Sequence, residues 1–280
     1  MKTPPKTPTT TWDDGQWPPS EPVGVFGWLR AIFRAVPLAI VTFGGLALLL
    51  VLRLIEMPIF GLKRPVTPWI TRFVCKSAFV ILGVRHVVRG TPMTQNGAAV
   101  SNHSSWLDIF ALNAPQSIYF VSKSEVAGWP GIGWLARATG TVFINRRARD
   151  AARQRAIFEA RLQAGHHLLF FPEGTSTDGQ RILPFKSTLF AAFFSMDLYE
   201  DLWIQPVTLI YTSPQGADPR FYGWWGEMEF FEHLLKTLAA RHQGGVEVVY
   251  HAPLKVSDFP DRKVLAAACE VEVRKALPEA

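Results

Sequence analysis

His103 and Asp108 stand in a His-x4-Asp spacing within Val100-Ser101-Asn102-His103-Ser104-Ser105-Trp106-Leu107-Asp108. The apolar run before Asn102 reads as a strand. His103 therefore falls at a strand's carboxyl end, where open α/β sheets receive their ligands, and the Ser104-Ser105 pair is expected to cap a following helix. A helix starting there puts residues one turn apart on one side. The Asp108 carboxylate can then reach one ring nitrogen, fixing the tautomer and stabilising the imidazolium, while the other nitrogen takes a proton. That is the base and orienter of a triad without its nucleophile. The competing reading is a histidine at a helix cap beside a solvated aspartate.

Two further groups carry chemistry. Leu168-Leu169-Phe170-Phe171-Pro172-Glu173-Gly174-Thr175-Ser176-Thr177 is an apolar strand stopped by proline, followed by a carboxylate, a glycine and three hydroxyls. Glu173 beside Gly174 puts an acceptor at a tight turn whose amides can approach a hydroxylated head group; an ordinary exposed β-turn is the alternative. Arg146 and Arg147, with Arg149 after them, close the run GTVFINRR. Guanidinium groups at a strand's carboxyl edge suit bidentate recognition of phosphate or carboxylate, although a short basic run also serves as a solvated face.

These groups need a sheet to hold them. Beyond residue 84 the chain alternates short β-branched or aromatic runs (VRHVVRG, GAAVSNH, SIYFVSK, GTVFINR, HHLLFFP, QPVTLIY, VEVVYHAP) with stretches of helical periodicity such as 150–164 and 263–277. Several runs are apolar at nearly every position, as strands covered on both faces are. The expectation is one α/β domain over 84–280, with a mostly parallel, roughly seven-stranded sheet covered by helices.

The preceding part reads differently. Residues 1–22 contain six prolines and almost no aliphatic side chains, and are expected to form a disordered tail. Ala35 to Leu52 is an unbroken run of 18 uncharged residues between Arg34 and Arg53. As a helix it is roughly 27 Å long, close to the ~30 Å hydrocarbon thickness of a bilayer. A cleaved signal peptide fits poorly, because more than thirty residues precede the run and no small-residue cleavage site follows before Glu56 and Pro58. Pro37 and Gly44-Gly45 leave open a re-entrant or monotopic hairpin in place of a span. The second apolar stretch, WITRFVCKSAFVILGV, carries Arg72 and Lys76 on one face, in the manner of a helix at a headgroup boundary or over the domain core. Residues 23–83 are thus expected to be membrane-inserted helices.

Composition supports these divisions. The chain has 280 residues, 29 Lys+Arg against 23 Asp+Glu, 48% hydrophobic residues and ten tryptophans. The excess of base fits an anionic surface, lipid or nucleic acid. Nucleic acid is the poorer partner, because the basic residues are scattered among acids and the aromatics sit in apolar runs. Cys75 and Cys269 offer neither a disulfide framework nor a metal pair and are expected to be two core thiols. Zinc at His166-His167 fails because adjacent strand residues face opposite ways, with His166 expected at a solvent-facing strand entry. Trp106, Trp129, Trp134, Trp224 and Trp225 fit packing as well as an acyl-lined or interfacial role.

Taken together, the motifs resemble the lysophospholipid acyltransferase superfamily, best known through the 1-acylglycerol-3-phosphate acyltransferases. His103 and Asp108 match its His-x4-Asp catalytic motif. Phe143-Ile144-Asn145-Arg146 matches the block that carries an acceptor-binding arginine, Phe171-Pro172-Glu173-Gly174-Thr175 the third block, and Gln205-Pro206-Val207 the fourth. The likeness covers roughly 84–253, and the apolar helices before it match the placement of the family's membrane anchor. It implies an O-acyltransferase at the cytoplasmic face of the cell membrane. Acyl-carrier protein or acyl-CoA would be the donor and a lysolipid, first of all 1-acylglycerol-3-phosphate giving phosphatidic acid, the acceptor. His103 and Asp108 would be catalytic, and Arg146, Arg147, Glu173, Gly174, Thr175 and Lys186 would bind substrate.

One departure matters: family members acting on glycerol phosphates commonly have an arginine after Glu-Gly-Thr, whereas this chain has Ser176. Thr175-Ser176-Thr177-Asp178-Gly179 and Trp224-Trp225-Gly226-Glu227-Met228 are similar to the lyso-ornithine lipid acyltransferases, which make ornithine lipid. In either case His103 would deprotonate the lysolipid hydroxyl for direct attack on a thioester, with no metal or cofactor. A serine hydrolase using Ser104 or Ser105 lacks the Gly-x-Ser-x-Gly elbow. A lipid-binding module without catalysis gives no reason for an imidazole and carboxylate at this spacing.

Overall fold

A computed structural model describes residues 11–18, 22–129, 131–144, 151–195 and 198–277. Two long helices come first, α1 (Val25–Phe60) and α2 (Thr67–Leu82), followed by an α/β unit. Its strands are β1 (Arg85–Arg89), β2 (Gly97–Ser101), β3 (Tyr119–Lys123), β4 (Val142–Ile144), β5 (Leu168–Phe170), β6 (Trp203–Thr212), β7 (Gly245–Tyr250) and β8 (Leu254–Lys255). Its helices are α3 (Leu107–Asn113), α4 (Ile132–Thr139), α5 (Ala151–Gln163), α6 (Phe230–Ala239) and α7 (Arg262–Lys275).

The sheet runs β1-β7-β6-β2-β5-β3-β4, with β8 also on β6. Neighbours from β6 through β2, β5 and β3 to β4 are all parallel, and only the β6–β7 and β6–β8 pairs are antiparallel. The seven apolar runs are the seven strands of the main path. Alternate residues of one strand enter different cores: Ala98, Val100, Leu168 and Phe170 pack with α5 and α7, while Ala99, Leu169, Val207 and Leu209 pack with α2, α3 and α6. Covering both faces is what requires the central runs of β2 and β5 to be apolar throughout, whereas β1 is largely exposed and β7 alternates. Cys75 and Cys269 are buried free thiols, one in each core.

The topology matters for function because it brings the carboxyl ends of three adjacent parallel strands together. β2 lies between β5 and β6, so the segments after Ser101 and after Phe170 and the far end of β6 meet at one edge. Asn102 extends the β2–β6 ladder past the strand: its Nδ2 donates to the Leu209 carbonyl at 2.9 Å, and its Oδ1 accepts from the Leu209 N–H at 2.8 Å.

Pro37 and the Gly44-Gly45 pair do not break α1, which is helical throughout. Most of its apolar side chains are uncovered, Phe33 at 82% exposure among them, and the exposed Trp69, Phe73 and Val80 of α2 add a stripe at helical spacing. It is the one helix among the described residues long and apolar enough to cross a membrane. Polar groups tie the pair together where it turns. The buried Glu56 carboxylate accepts from the Val66 and Thr67 N–H groups and the Thr67 hydroxyl at the start of α2. At the other end Arg30 and Arg34 donate to the Leu238, Ala239 and Ala240 carbonyls, which α6 leaves without helical partners.

The two adjacent glycines of α1 differ in surroundings. A Cβ on Gly45 would lie 2.5 Å from Val74 Cγ2 of α2, whereas one on Gly44 meets nothing within 4 Å. Val74 is stiff at χ1. Gly45→Ala is therefore expected to destabilise by about 1–3 kcal/mol through overpacking. Gly44→Ala should be neutral or stabilising by about 0.5–1 kcal/mol. Thermal unfolding in detergent should show a lowered midpoint for Gly45→Ala and an equal or raised one for Gly44→Ala.

Candidate active site

Asp108 is fully buried, and its carboxylate is the most heavily bonded group at the sheet edge. Oδ2 meets His103 Nδ1 at 2.7 Å and accepts from the N–H groups of Ser104 at 2.8 Å and Ser105 at 3.1 Å. Oδ1 accepts from the Tyr211 hydroxyl, near the end of β6, at 2.7 Å. The expected pairing is present, but the serines do not make it as helix caps. The helix begins only at Leu107, and Asp108 in its first turn reaches back to the two preceding amides, closing 103–108 into a loop. The Ser105 hydroxyl accepts from Leu107 N–H, and the Ser104 hydroxyl is buried without a partner among the described residues. Neither is bonded to His103, so no serine–histidine nucleophile pair forms.

The His103 ring is stacked on Phe171, with centroids 4.0 Å apart and planes 13° from parallel. With Nδ1 on Asp108, Nε2 is the nitrogen left to exchange a proton, and the side chain is 23% exposed. The backbone of the loop is equally constrained. His103 N–H donates to Glu173 Oε1 at 2.7 Å, and its carbonyl accepts from Thr177 N–H at 2.9 Å. The Ser104 carbonyl accepts from Trp224 N–H at 2.8 Å.

Glu173 therefore does not face a substrate. It is fully buried, with Oε1 on His103 N–H and Oε2 on Leu183 N–H at 2.7 Å, joining the 103–108 loop to the loop after β5. Burial pushes its carboxyl up to about 8 despite the lowering pull of those two N–H bonds, and the Asp108 charge adds to the rise. Gly174 has a φ of 73°, which turns the chain sharply after Glu173. The Thr175 hydroxyl accepts from Trp12 N–H at 3.2 Å. Trp12 belongs to the segment expected to be a disordered tail; residues 11–18 form no helix or strand, and Trp12 meets distant loops through this bond and through ring contacts. Lys186 is exposed, with its N–H on the Pro172 carbonyl. Arg146 and Arg147 lie outside the described residues.

Other expectations fare unevenly. His166 is buried at 4% exposure, not at a solvent-facing strand entry, because Tyr119 stacks on it at 4.0 Å. Burial, with Arg161 and Arg64 nearby, pushes its imidazole down to about 4. Tyr211 and Phe171 were not singled out as site residues. The only signal for Tyr211 is a tyrosine at the end of an apolar run near the proline-containing block; its contact with Asp108 spans about a hundred residues of chain. A cleft of about 390 Å³ between Thr91, Gln205 and His251 lies beside the residues that precede β2, away from this chemistry.

An imidazole held by a buried carboxylate, with no protein nucleophile bonded to it among the described residues, suits activation of a substrate hydroxyl. Comparisons agree with that chemistry. The family model described as "Acyltransferase" matches residues 85–210. The chain is 57% identical over 266 residues to a lyso-ornithine lipid O-acyltransferase of Rhodobacter capsulatus, covering 95% of this chain and 96% of the relative. A 1-acyl-sn-glycerol-3-phosphate acyltransferase of Neisseria gonorrhoeae is 44% identical over 107 residues, covering 37% of this chain and 42% of the relative. Among solved structures, the 1-acyl-sn-glycerophosphate acyltransferase PlsC of Thermotoga maritima has the same fold, with a TM-score of 0.62 at 21% identity over 90% of this chain and 94% of that one.

Glu173 gives stability a pH dependence of definite sign. Its folded value of about 8 lies above the ordinary 4.5, so the unfolded chain loses this proton first. The contribution is flat below the ordinary value, and stability falls as pH rises through the interval up to about 8. Glu173→Gln removes that slope but sets an amide N–H₂ against a backbone N–H. It should lower stability by about 1–3 kcal/mol in mild acid while flattening the decline toward higher pH. Melting temperatures in detergent across that interval test this; equal slopes in the two proteins would contradict it.

Proposed function

Since the chain belongs to the acyltransferase family, we propose that it is a membrane-bound lysolipid O-acyltransferase whose acceptor is lyso-ornithine lipid. The observation that carries the acceptor is the likeness to the Rhodobacter capsulatus lyso-ornithine lipid O-acyltransferase along nearly the whole of both chains. The charges around the third block agree with it. Ser176 stands where glycerol-phosphate enzymes commonly carry arginine, and nearby guanidiniums are committed to carboxylates: Arg181 to Asp178, Arg220 to Asp218 and Arg274 to Glu270. Lysophosphatidic acid is the second reading, favoured by the partial match to the Neisseria gonorrhoeae enzyme.

In this reading His103 Nε2 takes the proton of the acceptor hydroxyl as its oxygen attacks the carbonyl carbon of a fatty acyl thioester. The tetrahedral oxyanion collapses, the carbon–sulfur bond breaks, and His103 returns the proton to the departing thiolate. Atoms balance as ester plus thiol, and no acyl-enzyme forms. Asp108 holds the ring and offsets the imidazolium charge, and Tyr211, Ser104 N–H and Ser105 N–H keep the carboxylate aimed. Acyl-carrier protein or acyl-CoA supplies the thioester. The exposed apolar faces of α1 and α2 sit in lipid, with the site on the cytoplasmic side where such donors occur. Arg146, Arg147, Thr175 and Lys186 remain the proposed substrate contacts, whereas Glu173 positions His103.

Purified protein in detergent, given labelled acyl-carrier protein with lyso-ornithine lipid or lysophosphatidic acid, should label the first acceptor. Label on lysophosphatidic acid alone would move the assignment to the second reading. His103→Ala should lose about 10²–10⁴-fold in turnover, and more than a tenth of wild-type activity would remove His103 from the base role. Tyr211→Phe keeps the ring and removes one donor from Asp108. It should lower kcat roughly tenfold with the acceptor KM unchanged, whereas a change in KM alone would contradict a role through Asp108.

A further inference from the structure

Residues 12–16 lie across two loops and touch each of them. Beyond the Trp12 N–H bond to Thr175, the Trp12 indole is 6.0 Å from the Trp225 ring, and the Arg181 guanidinium lies 5.0 Å from the indole centroid. Arg220 Nη1 donates to the Gln16 carbonyl at 2.7 Å, while its other nitrogens hold Asp218. Gly226 has a φ of +62°, and a Cβ there would come within 2.7 Å of Asp13 Oδ2. Both its backbone conformation and the space it leaves for Asp13 favour glycine.

These anchors fall on 175–181, after β5, and on 220–226, after β6. The same two loops grip the catalytic loop, through Thr177 N–H on the His103 carbonyl and Trp224 N–H on the Ser104 carbonyl. One direct bond, Gln180 Nε2 to the Pro219 carbonyl at 3.1 Å, links them without the segment. Each has a glycine at positive φ, Gly179 in the first and Gly226 in the second, and their ordering costs backbone entropy.

We propose that residues 12–16 form a strap that fixes the spacing of these two loops, with Trp12 as a positioning residue for acyl transfer. This rests on the reading of the chain as a lysolipid acyltransferase with His103 as base. The strap touches no reacting group. It acts by holding the Thr177 and Trp224 amides where the backbone of His103 and Ser104 needs them, and small displacements of a base weaken catalysis strongly.

The test compares full-length protein with Trp12→Ala, Trp12→Phe and a chain lacking residues 1–18. Readouts are kcat and acceptor KM with acyl-carrier-protein donor, amide hydrogen exchange, melting temperature and binding to vesicles containing anionic lipid. Trp12→Ala and the truncation should lower kcat roughly tenfold, speed exchange in both 175–181 and 220–226, and leave vesicle binding unchanged. Trp12→Phe, which keeps an aromatic ring and the backbone N–H, should recover most of the turnover. Undiminished turnover in the truncated chain overturns the proposal, and raised turnover does so too, because it would make the segment an inhibitory cover. A kcat loss explained by a matching fall in melting temperature, with exchange rising everywhere, also overturns it. If the full-length chain acylates neither lysolipid, the functional reading falls by itself. The exchange comparison then still decides the strap, since unchanged exchange in the two loops overturns it.

Discussion

A carboxylate with no contact to solvent must find its hydrogen bonds inside the protein, and Asp108 finds them in four places that no single secondary-structure element supplies. The imidazole comes from the residue after the β2 ladder, two amides from the loop, and a hydroxyl from the end of β6. Burying such a group without these donors would cost several kcal/mol. The start of α3, the closure of 103–108 and the lateral position of β6 beside β2 are therefore mutually dependent. The geometry that a steered base would require also supplies the buried carboxylate with its donors.

A second buried carboxylate sits behind the first and does a different task. Glu173 binds backbone on both oxygens, and its environment pushes it toward the neutral form. One carboxylate addresses the ring of His103 and the other its main chain, so ring orientation and loop position are set separately. Parallel strands explain why residues seventy positions apart in sequence can do this: β2 and β5 are neighbours that end at the same edge. The spacing between motif blocks is the length of the crossovers through α3, β3, α4, β4 and α5.

This division marks what the sequence could and could not disclose. Strands covered by helices on both faces, such as β2 and β5, are apolar at nearly every position, and β1 and β7 still stood out as short β-branched runs, whereas the two residues of β8 carry too little pattern to be seen. The His103–Asp108 pair was legible because both partners are local. Glu173 was legible as a functional position but not in its direction, since residue type does not say whether a carboxylate at a turn looks outward or back into the loop. Tyr211 and Trp12 depend on contacts across the whole domain, and nothing local marks them. The contacts of residues 11–18 are illegible for a related reason. Low aliphatic content rules out an independent core for residues 11–18, but it does not prevent one indole and a few backbone groups from docking on a surface already built.

A connected path also runs from the apolar hairpin to the 103–108 loop. Arg30 and Arg34 of α1 close the carboxyl end of α6. From within α6, His233 Nδ1 accepts from the Trp106 indole N–H at 3.0 Å, and burial keeps that imidazole neutral by pushing it down to about 3. Trp106 lies between His103 and Asp108 in the loop. Each link is directional, a guanidinium on carbonyls and then an indole N–H on an unprotonated ring nitrogen, so the hairpin cannot slide along the domain without breaking one of them. On the proposed reading this fixes the depth of His103 relative to the lipid surface. An acceptor that remains in the leaflet then meets its base at a height set by α1, while the thioester arrives from solution.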